Sequence, residues 1–252
     1  MSCWIHKIDL PLQEDVKGKW KPYSIYKGET KILDFLSCHV SILSPGHSPH
    51  LPHSHEEEEI LIVLDGEAEL VISENESIED ANIHKMTRGY FVYYPAWQFH
   101  TLRNTSNSPV TYLMFKWRNS EKYNNELSTT IFKYEDSFNE SNKLFVTKRL
   151  FEYNTLHLEK LHCHLTSMKP GGGYKPHKDK HDVAILTLSG KIKTLGKVVE
   201  PYSVIFYPAG KKHGLRNIHD ERAFYLVFEF HCSNKYQHNK FIKFLIKNII
   251  NR

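Results

Sequence analysis

Short apolar segments separated by polar turns run along most of the chain and predict an all-β protein. Residues 60–64 and 224–228 are typical runs of Ile, Leu, Val, Phe and Tyr, and such runs in this chain are bounded by Pro, Gly, Asn or Ser. Segments of this kind are characteristic of strands in a sandwich or barrel. They are far shorter than the roughly 18 apolar residues of a membrane-spanning helix, so we expect no membrane span.

The apolar segments of the first half of the chain recur in the second half. Residues 37–46, 62–66, 94–96, 100–104 and 112–115 align in order with residues 162–171, 186–190, 207–209, 213–217 and 225–228. We therefore predict two homologous β domains, residues 1–125 and 126–233, with residues 129–134 opening the second. The first half carries extra polar and acidic residues at 73–82, which we expect to widen a hairpin.

The pattern changes towards the C-terminus, where residues 234–252 are predicted to form an amphipathic helix. Apolar residues fall on one broad helical face and lysines on the other: Phe241, Ile242, Phe244, Leu245, Ile246, Ile249 and Ile250 against Lys240, Lys243 and Lys247. A closing helix packed on a barrel or at a dimer seam is the favoured interpretation. A basic helix lying on a membrane surface is the alternative.

Composition excludes some function classes and leaves one unusual feature. Lys and Arg number 33 against 29 Asp and Glu, so the formal net charge of +4 is not the basic footprint of a nucleic-acid-binding protein. The four cysteines lack C-x-x-C spacing and no apolar signal segment is seen, so reduced thiols and a cytoplasmic location are expected. The unusual feature is the number of histidines, 17.

Several histidines of the first half stand at fixed spacings from glycines. Residues 46–66 follow the pattern G-x6-H-x-H-x3-E-x6-G, and residues 89–104 follow G-x5-P-x-W-x2-H-x3-N. Together they resemble the two-motif signature of the cupin family, with one extra residue after Gly46 and with Trp97 where glycine is usual. Combined with the repeat, the resemblance implies a bicupin, which consists of two tandem double-stranded β-helix (jelly-roll) barrels.

The resemblance implies a metal site in the first half with four ligands: His53, His55, Glu59 and His100. The chemistry agrees, because His53 and His55, two apart on a strand, point to the same face. Three imidazole nitrogens and one carboxylate suit Fe, Mn, Ni, Co or Zn and leave coordination positions open for substrate or dioxygen. We expect one divalent transition metal per chain at this site, with Fe or Mn favoured.

The second half departs from the cupin pattern. Val183 stands at the glutamate position and Asp179 at the second histidine position, whereas His177 and His213 are retained. A second metal could be held by these two histidines and Asp179, with His181 as a further candidate. The alternatives are a metal-free ligand pocket or a scaffold partner for the first half.

Residues beside the motifs are weaker catalytic candidates: Glu57, Glu58, Tyr93 and Gln98. The plainer interpretation makes the glutamates a solvated turn and the other two residues barrel packing at the pocket rim. His47 and His50 are expected to be loop histidines.

The matched pairs Cys38/Cys163 and His39/His164 occupy equivalent predicted strand positions. We expect the cysteines to be unpaired core residues, because separate barrels would hold them too far apart for a disulfide. The two histidines, on the opposite face, are expected in a buried hydrogen bond or an interface rather than at a metal.

These features predict a metal-dependent enzyme that acts on a small oxygenated metabolite at the first-half site. The resemblance favours dioxygenase or related oxidoreductase chemistry. The alternatives are a non-redox isomerase, lyase or hydrolase of sugars or small acids, and a non-catalytic cupin that binds a sugar or metabolite. The expected partners are a small-molecule substrate and, because cupin strand edges are exposed, a second copy of the chain in a homodimer.

Overall fold

The computed structural model describes residues 1–9, 19–134 and 142–232. All regular structure in these ranges is β: β1 Trp4–Lys7, β2 Trp20–Gly28, β3 Phe35–Leu43, β4 Glu58–Asp65, β5 Glu67–Ser73, β6 Asn82–Thr87, β7 Tyr90–Tyr94, β8 Phe99–Arg103, β9 Val110–Arg118, β10 Thr130–Lys133, β11 Phe145–Tyr153, β12 Lys160–Met168, β13 His177–Lys178, β14 Asp182–Ser189, β15 Ile192–Thr194, β16 Lys197–Val199, β17 Ser203–Tyr207, β18 Lys212–His213, β19 Leu215–Arg216 and β20 Ala223–His231. The all-β class predicted from the sequence is confirmed, and no described segment is a helix able to cross a membrane. The helix predicted over residues 234–252 lies outside the described residues.

The strands form equivalent sets of antiparallel sheets in the two halves. The first half has a six-stranded sheet in the order β10-β7-β4-β9-β3-β2 and a three-stranded sheet in the order β6-β5-β8. The second half has a six-stranded sheet in the order β1-β17-β14-β20-β12-β11, a three-stranded sheet in the order β16-β15-β19 and the pair β13-β18. The repeat in the sequence thus corresponds to a repeat in strand order.

Three apolar cores hold these sheets together. One core packs each six-stranded sheet against the small sheet of its own half, and a third, which we call the shared core, joins the two six-stranded sheets. Strand β4 shows the arrangement: Ile60, Ile62 and Leu64 lie in the shared core, whereas Leu61 and Val63 face the first-half core. Because both faces of β4 are covered, its sequence is a continuous apolar run rather than an alternating one.

The shared core contains residues from both halves in direct contact. The rings of Phe91 and Phe228 meet edge to face with 5.6 Å between their centroids, a geometry that aromatic pairs favour. Cys38 and Cys163 are both buried in this core, and all four cysteines are free. The prediction of unpaired core cysteines is confirmed, although the two sheets share a single core.

Each half completes its six-stranded sheet with a strand from the other part of the chain. Strand β1, near the N-terminus, pairs with β17 of the second half, and β10 pairs with β7 of the first half. Residues 130–133, which lie in the segment expected to open the second half, pair with the sheet of the first half. The domain boundaries proposed from the sequence stay a prediction.

A buried carboxylate links the two halves at the edge of the shared core. Glu58 is fully buried and accepts hydrogen bonds from Tyr93 Oη at 2.9 Å, Trp117 Nε1 at 2.8 Å and Thr155 Oγ1 at 2.7 Å. The backbone N–H of His157 lies 3.4 Å from the same carboxylate. Burial raises the pKa of Glu58, and the side-chain donors oppose that rise.

Replacing Glu58 by glutamine should destabilise the fold strongly, because in either orientation the amide nitrogen would face an N–H group that can only donate, that of the Trp117 indole or the His157 backbone. We expect Glu58→Gln to lower the free energy of unfolding by about 3 kcal/mol, measured by urea denaturation. The matched control is Glu57→Gln, since Glu57 is partly exposed beside Arg118, and should cost less than about 1 kcal/mol. Equal losses in the two variants would contradict a linking role for Glu58.

Candidate metal centre

The first-half site is built where a loop crosses the end of strand β8. His53 and His100 form an isolated antiparallel bridge, with N–H···O distances of 3.2 and 3.1 Å between their backbones. His55 lies in the loop before β4, and Glu59 lies on β4 itself. His53 and His55 therefore come from an extended loop rather than from the predicted strand, but the bridge still places them beside His100.

Three of the four predicted ligands present their donor atoms to one point. Glu59 Oε2 lies 3.3 Å from His55 Nε2 and 3.4 Å from His100 Nε2. Two ligands at bonding distance from one transition metal are about 3.0 to 3.4 Å apart, for octahedral and tetrahedral angles respectively. The His53 ring lies beside this group, with its centroid 5.2 Å from the rings of both His55 and His100.

Backbone carbonyls fix which nitrogen of each ring faces the centre. His100 Nδ1 lies 2.8 Å from the carbonyl of Gln98, and His55 Nδ1 lies 2.9 Å from the carbonyl of Glu57. A carbonyl can only accept, so each Nδ1 donates a hydrogen bond and each Nε2 keeps its lone pair for the centre. The ring of His100 also stacks on Tyr94 at 4.0 Å, which restricts its rotation.

Buried polar atoms at the centre lack a hydrogen-bond partner among the described residues. Glu59 is fully buried, and its Oε1 has no hydrogen-bond partner among the described residues; the same is true of His53 Nδ1. Burial alone would raise the pKa of Glu59, but Lys116 and His100 hold it well below its usual range. Burial lowers the pKa of His53 to about 4. An ionised carboxylate and a neutral imidazole are the forms in which these groups bind a metal, so the donor set fits one.

Lys116 is a member of the site that the motifs did not identify. Its Nζ lies 2.9 Å from His55 Nε2 and 3.1 Å from Glu59 Oε2, because β9 pairs with β4 so that Lys116 stands opposite Glu59. The signal in the sequence is a lysine inside an apolar strand, in alternation with Met114 and Tyr112, which face the same cavity. The register that brings Lys116 to Glu59 could not be derived from spacing alone.

The cavity at the centre is small and mostly apolar. Its volume is about 210 Å³, and Leu61, Tyr112 and Met114 contribute to its wall. His39 and His50 also line it. His39 is thus placed beside the candidate ligands, contrary to the expectation of a role away from them.

None of the four weaker catalytic candidates lines this cavity. Glu58 and Tyr93 face the shared core on the opposite side of their strands. Glu57 is partly exposed and lies 3.3 Å from Arg118 Nε. Gln98 donates to the carbonyl of Ser73 at 2.8 Å and accepts from Thr129, so its amide is engaged elsewhere.

Trp97 occupies a backbone conformation that favours glycine. Its φ is +66°, in the left-handed region, and the equivalent Gly210 has φ +79°. A non-glycine residue there costs roughly 1–2 kcal/mol. Trp97 is 61% exposed, while its N–H donates to the carbonyl of His55 at 2.8 Å. The substitution of the usual glycine therefore leaves the cupin-like turn intact and adds an exposed ring beside the ligand loop.

The second half brings together three of its four candidate ligands. Asp179 Oδ2 lies 3.3 Å from His177 Nε2 and 3.1 Å from His213 Nε2, and we call these three residues the second-half set. His213 stacks on Tyr207 at 4.0 Å, as His100 stacks on its tyrosine in the first half. His181 is not part of this group, because its Nε2 is 3.4 Å from Glu229.

Comparisons with known families and structures agree with this architecture. Residues 39–116 match the family model described as "Cupin domain". The matched segment contains the first-half site, so this region is similar to cupin domains, while the tandem arrangement stays a prediction. No functionally curated protein matches the chain.

Solved structures share the fold over most of the chain. A putative glyoxylate-induced protein from Pseudomonas aeruginosa is 17% identical with a TM-score of 0.64, covering 86% of this chain and 82% of that one. Salicylate 1,2-dioxygenase from Pseudoaminobacter salicylatoxidans with gentisate is 11% identical, with a TM-score of 0.61 and coverages of 87% and 76%. Bacterial pirin from Escherichia coli with nickel(II) is 12% identical, with a TM-score of 0.62 and coverages of 92% and 100%. At these identities the likeness shows the fold alone.

Removal of the Lys116 ammonium group should strengthen metal binding. Two unit positive charges about 4 Å apart repel each other by about 4 kcal/mol at an effective dielectric constant near 20. The negative charge of Glu59 offsets part of this repulsion between Lys116 and a bound metal. We expect Lys116→Met to bind Co²⁺ or Zn²⁺ at least about tenfold more tightly at the first-half site, measured by isothermal titration calorimetry. Lys85→Met, which removes an exposed lysine paired with Glu67, is the control. Unchanged or weaker binding by Lys116→Met would contradict this account.

Proposed function

We propose that the chain is a metal-dependent enzyme whose first-half site holds one divalent transition metal, with Fe or Mn favoured. The ligands would be His53, His55, Glu59 and His100. The observation that carries the proposal is the convergence of His55 Nε2, His100 Nε2 and a buried Glu59 carboxylate at metal-ligand spacing. A lone buried carboxylate oxygen without a hydrogen-bond donor is costly unless a cation compensates it.

The residues of the cavity limit what the substrate can be. When bound, the metal would supply a Lewis acid or a redox centre with open coordination positions. A cavity of about 210 Å³ is smaller than the roughly 300–1,000 Å³ of typical drug-sized sites, so a small metabolite fits it. Lys116 Nζ can donate a hydrogen bond to a substrate oxygen, and the apolar wall excludes bulk water.

Oxidoreductase chemistry of the dioxygenase type is the favoured reaction class. Its support is the ligand set together with two structural neighbours whose names refer to salicylate 1,2-dioxygenase and to nickel-bound pirin. A non-redox isomerase, lyase or hydrolase of sugars or small acids is the alternative, because one ligand set can serve either chemistry.

A second candidate function, metabolite binding without turnover, is favoured for the second half by its open pocket. This pocket has a volume of about 830 Å³, and Tyr174 and His213 line it. Val183 stands there at the position of the cupin glutamate. The carboxylate of the second-half set therefore comes from Asp179, beside two histidines. We also propose that the halves are tandem cupins; homodimerisation and a cytoplasmic location stay predictions.

Loss of two ligands should remove one metal ion per chain. We expect His55→Ala/His100→Ala, purified without a histidine tag, to contain about one metal ion fewer than the unaltered protein by elemental analysis. His84→Ala, which removes an exposed histidine of β6, should keep the full content. Equal metal content in the double variant and the unaltered protein would refute the first-half site.

Oxygen consumption separates the redox and non-redox alternatives. With Fe²⁺ loaded, we expect oxygen uptake on addition of a member of a panel of small acids, phenols and sugars, and no uptake by His55→Ala/His100→Ala. Turnover by the Zn²⁺-loaded protein without oxygen would exclude the oxygenase reaction and favour an isomerase, lyase or hydrolase. Tight binding in calorimetry without turnover by either form would favour the binding role.

A further inference from the structure

Four histidines surround one glutamate in the second half, apart from the second-half set. Glu229 lies on β20, and the histidines come from three segments: His162 and His164 on β12, His181 just before β14, and His231 at the end of β20. The donor atoms form two groups that share Glu229, one with His181 and His231 and one with the β12 pair. Within each group all donor atoms lie within 4.8 Å of one another.

The group with His181 and His231 brings two ring nitrogens to one oxygen of Glu229. Glu229 Oε2 lies 2.9 Å from His231 Nε2 and 3.4 Å from His181 Nε2. The two rings are stacked with 3.8 Å between their centroids, so both present Nε2 to the same carboxylate oxygen. These separations match the distance of about 3.0 to 3.4 Å between two ligands of one transition metal.

The position of this glutamate differs from that of the cupin motif. Strand β20 pairs with β12 and β14 in the register in which β9 pairs with β3 and β4, so Glu229 takes the place of Lys116. The opposing residue is Val183 in the second half and Glu59 in the first. The second half thus carries its barrel-facing carboxylate on the opposite strand and has no lysine at that place.

The two histidines also replace residues of another kind. In the first half their places are taken by Glu57 and Arg118, whose side chains form an ion pair of 3.3 Å. In the second half His181 and His231 stand there, so a pair of opposite charges is exchanged for two metal-ligating imidazoles. This exchange favours a metal site, because imidazoles are ligands of transition metals whereas an arginine side chain is not.

The site is open to solvent on one side. A pocket of about 530 Å³ is lined by His181 and His231, and its other charged residues are three lysines and two acids: Lys31, Lys178, Lys180, Glu159 and Asp179. A metal could enter through this pocket.

We propose that Glu229, His181 and His231 bind a divalent transition metal such as Zn²⁺, Co²⁺ or Ni²⁺. Two imidazoles and one carboxylate are suited to these ions rather than to Mg²⁺ or Ca²⁺, which take oxygen ligands. His162 Nε2 and His164 Nδ1 lie 3.1 Å apart, and with Glu229 they form the second group of donor atoms. The site shares no residue with the first-half site or the second-half set, so it adds a metal to those implied by the cupin motif.

The test is a titration of the metal-free, full-length protein with Co²⁺, followed by calorimetry and by visible absorption. We expect Glu229→Gln to bind one equivalent fewer than the unaltered protein. His181→Ala should bind the same ion at least about tenfold more weakly, since even residues behind metal ligands contribute about 10–100-fold. The matched controls are Glu200→Gln, an exposed glutamate paired with Lys191, and His84→Ala. Both should keep the full stoichiometry.

Two measurements make the result decisive. The melting temperature of each metal-free variant shows whether it is folded. If Glu229→Gln does not fold, His181→Ala serves in its place, because it leaves the Glu229–His231 contact intact. Full stoichiometry and unchanged affinity in a folded Glu229→Gln or His181→Ala variant would overturn the proposal. The double variant His55→Ala/His100→Ala should still show the Co²⁺ equivalent assigned to Glu229, so failure of the first-half site would be distinguished.

Discussion

Strand β4 carries two consecutive buried carboxylates that point in opposite directions, and this alternation joins the fold to the site. Glu58 faces the shared core and accepts hydrogen bonds from both halves, whereas Glu59 faces the first-half cavity. A shift of register by one residue would exchange the two faces. It would bury Glu58 among the histidines and leave Glu59 among aromatic rings without a cation. The link between the halves therefore also fixes the position of the candidate metal ligand Glu59.

The second half keeps one of these carboxylates and loses the other. Asp182, equivalent to Glu58, is fully buried and accepts a hydrogen bond from the backbone of Ala209 at 2.7 Å. Val183 replaces Glu59, and the carboxylate facing the second barrel is Glu229. The acid that faces the shared core is thus retained in both halves, while the residues inside the barrel have diverged. Such a pattern is expected if the fold constrains one face of the strand and ligand chemistry the other.

Local spacing could identify much of the site, and strand pairing explains what it missed. The motifs placed His55, Glu59 and His100 in one group because a cupin-like fold holds those positions together. Lys116 depends on the register between β9 and β4, to which the motifs do not refer. His181, two residues after Asp179, was grouped with it, but the chain turns so that it contacts a different strand. The strand exchange of β1 and β10 is likewise a pairing between distant segments, which no local pattern encodes.

That exchange also has a consequence for how the chain is made. Lys7, in β1, donates a hydrogen bond to the carbonyl of Pro201, 194 positions further along. During synthesis β1 is made long before its partner strand. It can pair only after β17, residues 203–207, has been made. Pairings of such long range slow folding and leave strand edges exposed to other chains.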